Sequence, residues 1–466
     1  MSRDIELSNE PIGKLLIKYS IPAIIGMLVN SLYNVVDRIF IGNIPDIGYL
    51  AITGVGITMP ILTIILGLAM LVGIGATSLI SIRLGQGKKE EAEKVLGNAV
   101  TIAVIMGIIL MICGMLFAGE LLGAFGGNEQ TIPYGKKYID IFLVGTIFNV
   151  FLLGTIFNVS SFVFTSIMRA DGNPKMSAAC MIIGCVINVI LDAVCIFGLN
   201  MGIQGAALAT IISQVVTAVI GLYYFTKGKS NLKLHKENLK LKGFIVKSIF
   251  VIGTAPCAMQ LAISLVQVVM NKVLNETGGQ IAIGAMTSIS AIVMLVLMPI
   301  FGINQGAQPI IGYNYGAKNY ERAKKTSLLA MGFATVILVI GFAIIQLAPA
   351  TFIKMFDGDG TMLEIATPGL RLYTITMPIL AVSIMGSNYF QAIGKAKMAT
   401  FLSLLRQVVI LIPVILIMAK VGGLKGVWLA QPMSDMISTV IVAAILIKEF
   451  KGYKVAISQS ISEQNI

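Results

Sequence analysis

Two apolar stretches of this chain carry an aspartate with asparagines in helical step. Asn188 and Asp192, in VINVILDAV, stand at i and i+4; Asn30, Asn34 and Asp37, in VNSLYNVVDRIFIGN, stand at i, i+4 and i+7. Either spacing puts the side chains on one face of a helix. Thr210, Ser213, Gln214 and Thr217 form a polar stripe in the next apolar segment. Carboxylate, amide and hydroxyl oxygens suit a small hard cation. Removal from water disfavours the charged form of a carboxylate, which also suits a group that takes up and returns a proton. Asparagine and threonine commonly do no more than hydrogen-bond between helices. An acid deep in hydrocarbon is costly, and usually functional.

The second half of the chain is polar without being acidic. Gln260, Ser264, Gln267 and Asn271 lie on one stripe, followed by Asn304, Gln305 and Gln308, then Asn388 and Gln391; Asp435, in QPMSDMIST, is the one deep acid. Neutral polar groups of this kind orient a ligand and carry no driving force. We expect Asn30, Asn34, Gln260, Ser264, Gln267, Asn304, Gln308 and Asp435 to line a substrate cavity. Most of the methionines and phenylalanines are read as packing or lipid-facing residues.

The elements that hold these residues follow from composition. The 466 residues are 56% hydrophobic and 12% charged, with a mean hydropathy of +0.90. Water cannot solvate that much apolar surface on a folded chain of this size, so the medium is a bilayer. Apolar runs predict an all-α polytopic protein with twelve spans at 13–42, 51–80, 95–118, 134–168, 177–197, 203–226, 246–275, 282–312, 326–348, 363–392, 398–419 and 425–447. The fourth contains a direct repeat, GTIFNV, at 145–150 and 154–159. Lys and Arg concentrate at the termini and in the even-numbered connections, which predicts that both termini are cytoplasmic. The net charge of +12 is spread over one set of loops, so no nucleic-acid partner is expected. The five cysteines form no CxxC pair and the single histidine has no partner motif. No disulfide framework, resident metal or other cofactor is expected, and a monomer in the lipid bilayer is.

The longest basic connection, 227–247, divides the chain into lobes 1–226 and 248–466. At one offset, Gly75 pairs with Gly306, Ala76 with Ala307, Gly85 with Gly316, Ala92 with Ala323 and Lys94 with Lys325; further on, GIQGAALAT matches GLKGVWLAQ. The matches indicate duplication. Six spans return the chain to its starting side, so the two six-helix lobes form a parallel repeat with a pseudo-two-fold axis along the membrane normal.

YNVVDRIFIGN, RLGQGKKEEAEKVLGNA, IMRADGNPKMSA, NVILD, GIQGAALAT, FGINQGAQPIIGYNYGAKNYERAKK and QAIGKAK together resemble the multidrug and toxic compound extrusion (MATE) family, in particular its MepA-like members near the DinF branch. The resemblance spans all twelve segments. It implies efflux of drugs or toxins, amphipathic and often cationic, across the plasma membrane in exchange for H+ or Na+. It also implies a cation-coupling set, a Na+ site in some members, at Asp37, Asn188, Asp192 and Thr210. The acids that the NorM-like branch carries on its seventh and tenth helices are missing here.

Three rivals carry less weight. A lipid-linked oligosaccharide or polysaccharide flippase of the same superfamily needs a strongly cationic cavity, and the interior offers few buried basic residues, with Lys272 and Arg406 the candidates. An ion channel needs a ring or filter, and no segment reads as one. An enzyme is not expected: no nucleophile–base pair, Walker loop or metal cluster appears.

Overall fold

The computed structural model describes residues 7–44, 58–124, 154–354 and 360–464, with Val55 and a few residues of 133–139. Among the described residues every regular element is helical. In chain order the spans are α1 (Ile12–Gly42), α2 (Met59–Gly85), α3 (Lys89–Ala124), α4 (Gly154–Ala170), α5 (Pro174–Ala193, prolonged by a π turn at Val194–Gly198) and α6 (Ile203–Thr226). They continue as α7 (Gly243–Gly279), α8 (Ile281–Gly316), α9 (Tyr320–Leu347), α10 (Met362–Ala392), α11 (396–422) and α12 (424–464). A break at Gly423 (φ 54°) separates the last two. The first GTIFNV copy lies outside the described residues, and the second opens α4.

Ten helical stretches are long and apolar enough to cross a membrane. The last of them holds both α11 and α12, and α4 adds 17 described residues. The protein is a polytopic all-α membrane protein. Large aliphatic side chains such as Val268, Val336 and Val440 remain exposed on it, as they can where the surroundings are hydrocarbon. Several helices overrun the apolar windows that predicted them. The second span was expected at 51–80, whereas α2 runs from Met59 to Gly85 and α3 starts at Lys89. Hydropathy marks the part of a helix that lies in lipid; the backbone ladder continues past it wherever polar side chains support each other. Here Arg83 and Lys88 both reach Glu91, at 3.2 and 3.1 Å.

The residues form two compact units, described one at a time. One contains Ile25–Gln260, and the other contains Leu7–Ile24 with Leu261–Ile466. In the first, Gly75 of α2 lies against the Ile249 carbonyl of α7, and a Cβ on Gly253 would meet the Leu71 carbonyl at 1.8 Å. In the second, Gly302 and Gly306 of α8 lie against Ile24 and Ser20 of α1. The paired glycines of the internal repeat thus do the same work in each unit: they let two helix backbones cross closely.

Turns repeat as well. Gly87 (φ 72°) follows α2, and Lys318 (φ 60°) occupies the equivalent place after α8. Lys88 N donates to Arg83 O in the first turn, and Asn319 N donates to Asn314 O in the second. After α4, Gly172 N donates to Arg169 O and Asn173 N to Met168 O. After α10, Gly394 N donates to Gln391 O and Lys395 N to Phe390 O.

The basic connection is fastened along its length. Asp171 accepts from Tyr224 Oη (2.5 Å), Leu232 N (2.7 Å) and Asn231 N (3.1 Å). Asn98 donates to the carbonyls of Asn238 and Lys240 and accepts from Lys242 N at 2.7 Å. Replacing Asp171 by Ala leaves a buried tyrosine hydroxyl and two backbone donors without this acceptor. The expected loss is about 3 kcal/mol, in the range for charge-assisted hydrogen bonds, read as a lowered melting temperature of the detergent-solubilised protein. An unchanged melting temperature would mean that the connection does not contribute to stability.

Candidate cation and ligand site

The acids of the first half meet because their helices approach closely. Gly26 of α1 faces the Met181 thioether of α5, and Phe40 meets Phe197 edge to face with ring centroids 5.8 Å apart. These contacts bracket Asp37. Gly184 of α5 faces the Thr217 hydroxyl, and Gly205 of α6 lies against Cys195; a Cβ at either glycine would come within 3 Å of its neighbour. With the backbones this close, short side chains can bridge α5 and α6.

Asp192 is fully buried, Asn188 nearly so, and Thr210 is 8% exposed. One orientation satisfies the Asn188 amide: its nitrogen donates to Asp192 Oδ2 at 3.2 Å and its oxygen accepts from Thr210 N and Oγ1 at 3.2 and 3.3 Å. The reverse would set the amide oxygen against the carboxyl group and the amide nitrogen against the Thr210 N–H. Asp37 stands close enough to Asp192 for a hydrogen bond between the two carboxyl groups. That bond exists only when one of them is protonated. The Oδ1 atoms of both acids are buried without a hydrogen-bond partner. Two orphan carboxylate oxygens beside an amide and a hydroxyl form an oxygen-only donor set, suited to a proton or a hard monovalent cation. Among the described residues no three His, Cys, Asp or Glu converge as a transition-metal site would require.

A cavity of about 380 Å³ opens beside these groups. Its walls include Asn30, Tyr33 and Asp37 of α1; Met59, Leu62 and Thr63 of α2; Asn158, Ser161, Phe162 and Thr165 of α4; Met181 and Asn188 of α5; and Thr210, Ser213, Gln214 and Thr217 of α6. Tyr138 also lines it, with its hydroxyl within hydrogen-bond reach of Thr210. Asp37, Asn188 and Thr210 of the expected coupling set are in the wall, with Asp192 buried behind them.

Of the residues expected at a substrate cavity, Asn30 lines this one. The Asn34 side chain lies outside the described residues. Gln260 packs beside Gly67, Gln308 is buried, Ser264 and Asn304 are half-buried and Gln267 is exposed. Asp435 accepts from Gln431 Nε2 at 3.0 Å and pairs with Arg406 at 3.4 Å. That pairing occupies one of the two basic residues a flippase reading requires, and the other, Lys272, is exposed. Sequence reasoning passed over Tyr33, Tyr138 and the α4 stripe of Asn158, Ser161 and Thr165. Tyr33 stands one turn before Asp37, which is a usable signal. The α4 stripe falls in the segment that the GTIFNV repeat obscured.

Membrane-length helices around a polar, acid-bearing cavity define a membrane transport protein. The MatE family model matches residues 22–194 and 256–417, and the chain belongs to that family; its activity is transport, not catalysis. The multidrug export protein MepA of Staphylococcus aureus (strain MRSA252) is 27% identical over 423 residues, 90% of either chain. A ligand-bound structure of the MATE multidrug transporter DinF-BH superposes with a TM-score of 0.85 at 36% identity, covering 93% of this chain and 95% of that one. An outward-facing structure of a multidrug resistance MATE family transporter of the MOP superfamily gives a TM-score of 0.89 at 25% identity, covering 97% and 98%.

Proposed function

We propose that this protein is a multidrug antiporter of the plasma membrane. It exports amphipathic, often cationic, organic compounds in exchange for H+ or Na+ by alternating access, with both termini cytoplasmic. Export of this kind gives a cell antibiotic resistance. Its working parts are a cation-binding lobe (1–226), the basic cytoplasmic connection (227–247) and a second lobe (248–466) that supplies a neutral polar wall.

The observation that supports the reading is the pair of half-buried Asp37 and fully buried Asp192 beside a polar and aromatic cavity. Two ionised carboxylates in contact repel. A proton or Na+ between them removes the repulsion, lets α1, α5 and α6 draw together and narrows the cavity. A cationic drug is attracted by the same negative charge, so drug and coupling cation oppose each other. The ligand complex solved for the relative DinF-BH is in keeping with a small-molecule substrate.

The test is ethidium uptake into everted vesicles, with an acid lumen and a sodium-loaded lumen imposed separately. Either gradient should drive ethidium inward; no uptake under both would remove the antiporter reading. Drug preference should depend on the cavity wall. Replacing Asn158 or Tyr33 by Ala should shift relative transport of two dissimilar drugs about tenfold, whereas turnover of the better one changes less, because wall groups orient the ligand without carrying the driving force. Equal losses for every drug would mark these residues as structural.

A further inference from the structure

Arg169 is a buried cation with no counter-ion among the described residues. It stands in the last turn of α4, 6% exposed. Its Nη1 donates to Ser177 Oγ at 2.8 Å and its Nη2 to Ser166 Oγ at 3.1 Å. Ser177 Oγ in turn donates to Thr165 O at 2.7 Å. Neither partner carries charge. The nearby acid, Asp171, is engaged by Tyr224, Asn231 and Leu232. Burying an unpaired guanidinium costs several kcal/mol, so its place calls for an account.

That place is the end of the cavity away from the acid pair. Thr165, Met181 and Thr217 are the last lining residues of α4, α5 and α6 on the side of the basic loops. One turn further, about 6 Å along α4 at 1.5 Å per residue, comes Arg169. Ser166 and Phe162 pack there against Gly73 of α2, and Phe164 against Gly221 of α6. The guanidinium therefore lies between the cavity floor and the turn at 171–173.

The second half serves as an internal control. The residue that ends α10 in the same hydrogen-bonded turn is Gln391, buried and neutral. Ser177 corresponds to Ala399. The half with the acid pair carries the arginine, and the half with no such pair among its described residues carries an amide.

We propose that Arg169 is an electrostatic plug. Its fixed positive charge raises the barrier for a proton or Na+ leaving the Asp37–Asp192 site through the floor of its own lobe. The cation then crosses only with the conformational change that moves drug. A buried positive charge that excludes cations from a pore is an established physical device. The proposal rests on the cation-site reading of Asp37 and Asp192.

The experiment is passive cation flux into drug-free proteoliposomes, inside negative, followed with a lumenal pH dye and with radioactive sodium. Arg169→Gln, which installs the residue of the other half, should raise flux of the coupling cation about tenfold or more, equivalent to about 1.4 kcal/mol of barrier. Arg169→Lys should stay tight. Ser177→Asp keeps the guanidinium and its hydrogen bond but supplies a counter-charge, and should leak like Arg169→Gln. Ser177→Ala loses the bond but keeps the charge, and should not leak. Ser177→Asp, folded and tight, would overturn the proposal even if Arg169→Gln fails to fold. Leak in Ser177→Ala equal to that in Ser177→Asp would overturn it in favour of packing. Failure of the cation-site reading appears elsewhere, as gradient-driven drug transport that survives Asp37→Asn.

Discussion

Asp37→Asn and Asp192→Asn each lower gradient-driven drug accumulation about 100-fold, toward the upper end of ordinary coupling energies, while both proteins remain folded in the membrane. Each substitution preserves shape and hydrogen-bonding capacity but removes the exchangeable charge. With one acid left, no carboxyl pair remains to repel when empty and relax when loaded. The two orphan oxygens, Asp37 Oδ1 and Asp192 Oδ1, then no longer share a cation. Because the acids act as one unit, the double variant should be no worse than either single one. Accumulation in everted vesicles, normalised to protein in the membrane, is the measurement. Full transport by both single variants would exclude the acids from the mechanism.

Drug affinity at equilibrium falls as Na+ or proton concentration rises, and Asp37→Asn abolishes the dependence. Linkage requires it: if bound drug weakens cation binding by some factor, bound cation weakens drug binding by the same factor. Asp37, Asn188 and Thr210 stand in the wall of the same cavity as Tyr33 and Asn158, so the coupling needs no distant relay. The expected factor is about 5 to 150. Titration of a fluorescent drug onto detergent-solubilised protein, at fixed drug and varied pH or Na+, reads it directly. The sign is definite: protonation removes the negative charge that holds a cationic drug, so affinity drops as pH falls. Affinity that is flat in both titrations of the unsubstituted protein would rule out direct competition at these residues.

Some of this was legible in the chain before any coordinates. Hydropathy over about 20 residues is a local property, so the membrane class and the spans could be read from it. Helical spacing is local too, which is why Asn188 and Asp192, or Asn30 and Asp37, could be placed on common faces. The duplication could be read from Gly75 and Gly306 in register, and the same turn hydrogen bonds close both halves. Tertiary structure decided which faces meet. The α1 stripe lies beside α5 because Gly26 admits Met181 there, a contact between residues far apart in sequence. The described cavity is walled by α1, α2, α4, α5 and α6, and α2 and α4 bring to it residues that local spacing did not single out. A neutral polar side chain has the same local signature whether it faces a cavity, a neighbouring helix or lipid. The Arg406 beside Asp435, and the burial of Arg169 without an acid among the described residues, both come from helix packing that no local pattern records. Sequence thus determined what each helix carries; the packing of helices distant in the chain determined which groups are paired and which are left without a partner.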